Sequence, residues 1–455
     1  MPTLKLGNNA LLTLPTRITT PSIHIQKDGD HWYVPLFSGS KGSVVQSGDY
    51  NYTLGGLNVG IYRAAIGREE AVVDIYVFSS ARTTWILTSK GDLYGCGYNY
   101  YGQQGSGNLD NVLTFTKKAE NVKEVICADY TTWYIDNNNN LYGCGSNSQG
   151  QQGSGNTSNV LTFTKRAENV KEFACTVVTT WYIDNNNNLY GCGRGDRGQQ
   201  GSGNTSNVLT FTKRASNVKT VSCSQDTTWY IDNNNNLYGC GRGDRGQQGS
   251  GNDDNVLTFT KRASNVKTVS CSNGTTWYID NNNLYGCGCG GYGQQGSSNT
   301  SDVLVFTKRA SNVKEVSCSF STTWYIDNNN NLYGCGYNYV GQQGSGNISN
   351  VLTFTKRASN VKTVSCTDDI TWYIDNNNNL YGCGTDNFGQ QGADTNPSPY
   401  TFTKRASNVK GFSCSERTTW YIDNNNNLYG CGDGSSGNQG SGNTSTVYTF
   451  TKREL

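Results

Sequence analysis

Residues able to do chemistry are sparse in this chain of 455 amino acids, and their spacing says more than their number. The two histidines, His24 and His31, both fall near the N-terminus. A Ser-His-acid or Cys-His pair needs an imidazole within hydrogen-bond reach of its nucleophile, so none can be assembled from residues 71–455. Asp136, Asp184 and Asp232 recur once per unit of a repeat, each directly before an Asn run, and read as turn caps. Asp368 and Asp369 are a conceivable pair of carboxylates for acid–base work, without a partner that would define a reaction. The "DNNNN" run lacks the alternating acids and terminal Glu of a calcium loop. The "GQQGSGN" loop lacks the Gly-Lys-Ser/Thr of a phosphate loop and precedes no helical pattern, so its glycines read as tight backbone. The expectation is a non-enzyme with no catalytic residue, no metal site and no cofactor.

Sixteen cysteines are present, fourteen of them as seven within-unit pairs running from Cys127 with Cys144 to Cys414 with Cys431. Cys96 has Ser79 opposite it, and Cys289 is an addition close to Cys287. Metal clusters combine close Cys pairs with further Cys or His ligands, which Cys287 and Cys289 lack. The start, MPTLKLGNNALLTLP, has no basic and apolar signal pattern, so the chain is expected to be made in a cytoplasm. The thiols then read as buried, reduced core fillers in preference to disulfides.

Lys plus Arg is 36 against 34 for Asp plus Glu, a net charge of +2. No bulk field attracts nucleic acid or an anionic membrane, and no window approaches 18 apolar residues. A Lys-Arg pair such as Lys165 and Arg166 recurs in each unit and reads as a solvated edge balanced by acids at the turns.

The elements that hold these residues follow from the period. Trp85, Trp133, Trp181, Trp229, Trp277, Trp324, Trp372 and Trp420 are spaced by 48 except for one 47, where an Asn is missing after Asp280. Eight units result, starting near Val72. Each holds four apolar stretches, as in "NVKEVIC" (121–127), "TTWYID" (131–136), "LYGCG" (141–145) and "VLTFTKRA" (160–167). Their β-branched and aromatic content and period-two alternation predict strands, and the Asn run predicts a hairpin turn. Four strands per 40–50 residues is the pattern of a propeller blade. The fold class is therefore all-β, a repeat β-propeller of seven or eight four-stranded blades over 71–455, preceded by a small β-rich module over 1–70. Tyr448–Lys452, with no repeat after it, is expected to pair with or pack beside the first unit, where "VVDIYVF" (72–78) supplies a diverged first strand.

The strings "LYGCGSNSQGQQGSGN" and "VLTFTKRAENVKEFAC" resemble the repeat of the regulator of chromosome condensation family, with its Leu-Tyr-x-x-Gly-x-Asn, Gly-Gln-x-Gly and Val-Lys-x-Val elements in order. The likeness covers roughly the last five sixths of the chain. It implies a propeller, usually of seven blades, and nucleotide exchange on a small GTPase. This chain departs from the family in having eight units, Thr-Trp (Thr132, Trp133) where the family has His, and no match to the exchange-loop residues.

The units differ from one another in two windows. The first precedes the TTW strand, as at Asp129 and Tyr130 or "SER" (415–417). The second follows GCG, as "YNYY" (98–101), "SNSQ" (146–149), "RGDR" (194–197 and 242–245), "CGGY" (289–292), "YNYV" (337–340), "TDNF" (385–388) and "DGSS" (433–436). In an up-and-down blade both loops emerge at the same end, giving one diversified face and one constant face. Two readings of this contrast stand: unconstrained drift, or a recognition surface. The Tyr and Arg content favours recognition, as these types are enriched in interface hot spots. The candidate binding residues are Tyr98, Tyr100, Tyr101, Tyr130, Arg194, Asp196, Arg197, Arg242, Asp244, Arg245, Tyr292, Phe320, Tyr337, Tyr339 and Phe388. The repeated Trp and Tyr read as packing between blades.

The functional expectation is a non-enzymatic binding or display protein. Its near-identical Asn-rich units, compact leading module and missing signal make it similar to phage fibre and receptor-binding proteins. On that reading residues 1–70, with Trp32, Tyr33 and Phe37, attach it to a virion, and the propeller meets a host-surface protein or glycan. Homo-oligomerisation is left open, and nucleic acid and membrane insertion are not expected. The alternatives are an intracellular small-GTPase regulator of nucleotide-exchange type and a purely structural virion decoration.

Overall fold

The computed structural model describes residues 73–393 and 398–455 in full. Of the first 72 residues it describes the backbone of six short strands, Thr3–Leu6, Ala10–Thr13, Gln26–Asp28, His31–Pro35, Lys41–Ser47 and Asn51–Gly55, which form one sheet in the order second, first, sixth, fifth, fourth, third. The chain divides into two compact units, Met1–Asp74 and Ile75–Leu455. The side chains of His24, His31, Trp32, Tyr33 and Phe37, and the anchoring role expected of residues 1–70, lie outside the described residues.

Residues 75–453 form eight four-stranded antiparallel sheets, so the blade count is eight. Blade 2 shows the pattern: Val122–Ala128, Thr131–Asp136, Leu141–Gly145 and Val160–Ala167 pair in sequence order. First strands of neighbouring blades touch one another and so surround the axis, while the Val-Leu-Thr-Phe strand lies outermost.

The core lies between blades. Trp133, Ile135 and Leu141 of blade 2 pack on Val170, Phe173 and Tyr182 of blade 3, and the same arrangement recurs at all eight seams. The outer-strand Phe reaches back to the preceding blade, as Phe211 does to Trp133 in an edge-to-face pair at 6.1 Å. Every repeat Trp is completely buried, and each such ring removes about 150–250 Å² from water. The Gly of Leu-Tyr-Gly-Cys sits opposite that indole: a Cβ on Gly143 would lie 2.5 Å from Trp133 Cζ3. A side chain there and a tryptophan here are mutually exclusive, which ties the two stretches of the repeat together.

The Asn turn is constant for equally concrete reasons. Asp136 Oδ1 accepts hydrogen bonds from the backbone N–H groups of Asn138 (2.9 Å) and Asn140 (2.8 Å), and Oδ2 accepts from Asn140 Nδ2 (2.9 Å). Asn139 adopts φ 60°, a left-handed conformation that Asn tolerates. Its carbonyl then accepts from Val170 N of the next blade at 2.8 Å.

One of the two arrangements expected for the last strand is corrected. Val447–Arg453 pairs with Leu428–Gly432 in its own blade and not with the first unit; its Phe450 packs on Trp372 of blade 7, while its Arg453 lies near Cys96 of blade 1, so the strand does sit beside the first unit. Closure falls instead to blade 1: Phe115 packs on Trp420 at 5.8 Å, and Gly442 N donates to Leu113 O at 2.9 Å. The Phe–Trp contact repeats at every seam, and the backbone bond at every other seam whose loop is described, so the ring shuts without exchanging a strand. At the closing seam an apolar cavity of about 260 Å³ is bounded by Ile75, Val77, Phe412 and Ile422.

All sixteen cysteines are free. Cys127 pairs across the ladder with Thr132, and Thr132 with Cys144. The two thiols of a unit thus stand two strands apart, about 9–10 Å, beyond the span of a disulfide. Cys144 Sγ donates to Gln103 O of the preceding blade at 3.3 Å. Burial pushes Cys127 up to about 12. Of the recurrent Lys-Arg pair only the lysine is solvated. Arg166 is half-buried near Cys192 of the next blade, and that burial pulls its pKa down.

Candidate binding face

Both variable windows emerge at one end, and neighbouring blades interlock there. The glutamines of "GQQG", absent from the candidate residues, do the joining: Gln104 Nε2 donates to Cys96 O of its own blade (2.8 Å), while Gln103 Nε2 donates to Asp129 O of the next (3.2 Å). Both are fully buried. Gly102 has φ 84°, and a Cβ there would meet Leu161 of the next blade at 2.6 Å. This part of the loop is a strut.

Within the second window one position also builds the loop. Asn99, Asn147 and Asn338 are buried, and each accepts on Oδ1 from the backbone N–H of a Gln (Gln104, Gln152, Gln343) at 2.8–2.9 Å. Each also donates from Nδ2 to a carbonyl of the returning loop, Asn108 O at 3.0 Å, Asn156 O and Asn347 O at 2.8 Å. Asp386 Oδ1 accepts the equivalent Gln391 N–H at 2.8 Å. Blades 3, 4, 5 and 8 use Gly here, and a Cβ on Gly195 would stand 2.0 Å from Ser206 O. The variable window therefore alternates anchors with displayed side chains.

Thirteen of the candidate residues fall into three groups, and Phe388 and Phe320 stand outside them. Tyr98, Tyr100, Tyr101 and Tyr130 form one cluster across blades 1 and 2. Tyr98 and Tyr100 stack at 6.2 Å, Tyr100 and Tyr101 meet edge-on at 5.2 Å, and Tyr101 and Tyr130 lie at 4.9 Å. Tyr292, Tyr337 and Tyr339 form a second across blades 5 and 6, with ring separations of 4.9 and 6.4 Å. Burial, with the neighbouring Tyr101, raises the pKa of Tyr98; burial, with Asp369, raises that of Tyr337. Phe388 stands apart beneath Arg417, whose guanidinium lies 4.6 Å from the ring centroid.

The third group is electrostatic and mostly self-satisfied. Arg194 and Arg242 both approach the buried carboxylate of Asp226, at 3.6 and 3.0 Å. Arg194 also pairs with Asp196 at 2.6 Å and Arg242 with Asp244 at 2.7 Å. Burial acts to raise Asp196, yet hydrogen bonds from Arg194 and Gln199 hold it below the usual carboxylate value. Arg197 lies 3.9 Å from Asp244 and Arg245 3.8 Å from Asp302. These arginines brace the face more than they present charge.

Around the axis at the same end, a cavity of about 350 Å³ opens among Asp129, Asn273, Phe320, Asp368, Cys414 and Glu416. Phe320 is the only candidate residue lining it. Burial, then Asp129, Asp368 and Asp369, raise the pKa of Glu416, and burial with Asp368 raises that of Asp369. These acids lie in the first variable window, where Tyr and Arg content does not single them out. Their common position next to the innermost strand was the available signal.

No protein-family model and no curated protein sequence matches the chain. Solved structures do resemble it. Human WBSCR16 is similar with a TM-score of 0.57 at 15% identity, over 71% of this chain and 96% of that one. Prp20p from Saccharomyces cerevisiae, studied for its binding properties to Gsp1p and histones, is similar with a TM-score of 0.57 at 15% identity, over 75% and 89%. Yeast RCC1 (Prp20) bound to Kap60 gives the same TM-score at 16% identity, over 75% and 87%. At such identities the likeness is one of fold.

Proposed function

We propose that this chain is a non-enzymatic binding protein, a rigid propeller that presents one diversified loop face to a macromolecular partner. The observation that carries the reading is the separation of roles within a single loop: glutamine, asparagine and glycine anchors repeat, while the side chains between them change from blade to blade and the residue directly after the anchor, as Tyr100, Ser148, Asp196 and Tyr339, is exposed in every blade. In its finer form the protein is virion-associated and receptor-binding. Residues 1–70 then dock on the particle and the propeller meets a protein or glycan of the host surface, in keeping with units duplicated almost without change. The test is binding of the full chain to intact candidate host cells, compared with a variant in which Tyr98, Tyr100 and Tyr101 are all Ala. Loss of binding with unchanged circular dichroism supports the proposal, and equal binding by both proteins removes it.

A second reading has its own support. The fold likeness extends to Prp20p, whose structure was reported with its binding to Gsp1p, so regulation of a small GTPase is the competing function. Acceleration of nucleotide release from a GTPase by the full chain would establish it.

A further inference from the structure

Two blades carry the same surface device. Tyr98-Asn99-Tyr100 in blade 1 and Tyr337-Asn338-Tyr339 in blade 6 each hold a stacked tyrosine pair, at 6.2 Å and 18° and at 6.4 Å and 22°. The outer rings, Tyr100 at 60% and Tyr339 at 65%, are the most exposed aromatic side chains among the described residues. Blade 2 provides an internal control. It builds the loop on Ser146-Asn147-Ser148, with the same asparagine bonds to the glutamine N–H and the returning carbonyl. The frame thus forms without tyrosine, and no folding requirement explains two bulky rings left in water.

The face itself shows what its rings accept. Arg82 lies 5.3 Å from the Tyr98 centroid, over the inner member of one pair, and Arg417 covers Phe388. All six arginines of the loops at this end are engaged, on a ring or on a carboxylate. Against those six stand thirteen described carboxylates in the same loops, among them Asp129 beside Tyr130 and Asp369 near Tyr337. A negative surplus around open π faces repels anions and suits cations.

Resting on the reading of this end as the binding face, we propose that the two tyrosine pairs are docking points for a basic partner protein, Tyr100 and Tyr339 each receiving a lysine or arginine side chain. Because the pairs sit on separate blades of one rigid ring, a partner with two suitably spaced cations gains from both.

The experiment measures binding of fluorescein-labelled Arg-Gly repeat peptides to the full chain by anisotropy at fixed ionic strength. The probes are set against a Glu-Gly repeat peptide and neutral oligosaccharides. Tyr100→Ser is expected to weaken the arginine peptide on the order of 10-fold, Tyr100→Phe to retain it, and the double variant with Tyr339→Ser to weaken it further. Identical circular dichroism and melting establish that the serines, already tolerated in blade 2, leave the frame intact. Equal arginine-peptide affinity in the double variant and the wild type overturns the inference. So does tyrosine-dependent binding of a neutral oligosaccharide without any of the arginine peptide, which would make the pairs a sugar platform. In that last case the broader binding-face reading survives, whereas a native partner found to bind independently of every loop substitution at this end removes both.

Discussion

Replacing Gly239 with Ala puts the packing of the repeat to a quantitative test. A Cβ there would fall 2.3, 2.5 and 2.6 Å from Cζ3, Cη2 and Cε3 of Trp229. Ordinary carbon contacts begin near 3.5 Å, so the indole would have to retreat by about 1 Å. It has nowhere to go: Trp229 is fully buried and its ring meets Phe306 edge-on at 5.8 Å. Overpacking a filled interior costs about 1–3 kcal/mol, and three simultaneous clashes against a trapped ring place Gly239→Ala at the upper end, about 3 kcal/mol. Gly411 is the control, because a Cβ there has nothing within 4 Å and its φ is not left-handed. Gly411→Ala restricts the unfolded chain and should be neutral or stabilising by up to about 1 kcal/mol. Urea unfolding of the full chain, followed by tryptophan fluorescence and circular dichroism, measures both. The reasoning fails if Gly239→Ala unfolds at the wild-type midpoint, or if the two substitutions cost the same.

Phe115→Ala and Phe259→Ala remove equivalent contacts, on Trp420 at the closing seam and on Trp181 at an internal one, so each should cost about 3 kcal/mol; an inert Phe115→Ala would mean that blades 8 and 1 do not meet. Asp232→Ala strips the acceptor from Asn234 N, Asn236 N and Asn236 Nδ2 and should destabilise by about 1–3 kcal/mol, with Asp232→Asn milder, both read from the same urea titration. The sixteen thiols should resist a thiol reagent at pH 8 in the native protein and all react once it is unfolded without reductant; a smaller total would reveal disulfides. Glu416 is held above its usual pKa by burial and then by Asp129, Asp368 and Asp369. Its ionised form therefore opposes folding above the folded pKa, and no penalty remains below the unfolded value. Glu416→Gln should accordingly raise the melting temperature at neutral pH and lose that advantage as the pH falls toward 4; an unchanged difference across that range would contradict the assignment.

Much of the frame was readable because its determinants are local. The β-branched and aromatic content of "TTWYID", Asn in the turn and the Gly-Trp complementarity all act within about fifteen residues, and the period multiplies them; the alternation expected of that strand is absent, because both its faces are buried between neighbouring blades. What escaped reading depends on distances between blades. The closing contact of Phe115 with Trp420 spans 305 residues yet copies its neighbours, so nothing in Val447–Arg453 announces that this strand stays in its own blade. Cys127 and Cys144 look like partners because they share a unit, although an intervening strand separates them. Arg194 and Arg242 look like free hot-spot residues until the ring sets both beside Asp226. Asn99 looks like a displayed residue until its buried side chain is found holding Gln104.

Net charge is the clearest case of a sum concealing its parts. A total of +2 gives no bulk field, yet the loop face holds thirteen described carboxylates against six engaged arginines. Lysines at the other end, such as Lys123 and Lys171 where the innermost strands begin, instead rest on neutral Asn139 and Asn187. Each unit adds a lysine and an aspartate together to the constant end, as Lys123 with Asp136 and Lys171 with Asp184, whereas the loops at the opposite end change their charge from unit to unit. The recurrent positive charge lies instead on the outer strands, as at Lys165 and Arg166, so the total conceals the surplus of acids in the loops. A polyanionic partner is repelled at the loop face by that local surplus, whatever the near-neutral sum, and the same surplus is what a basic partner would meet first.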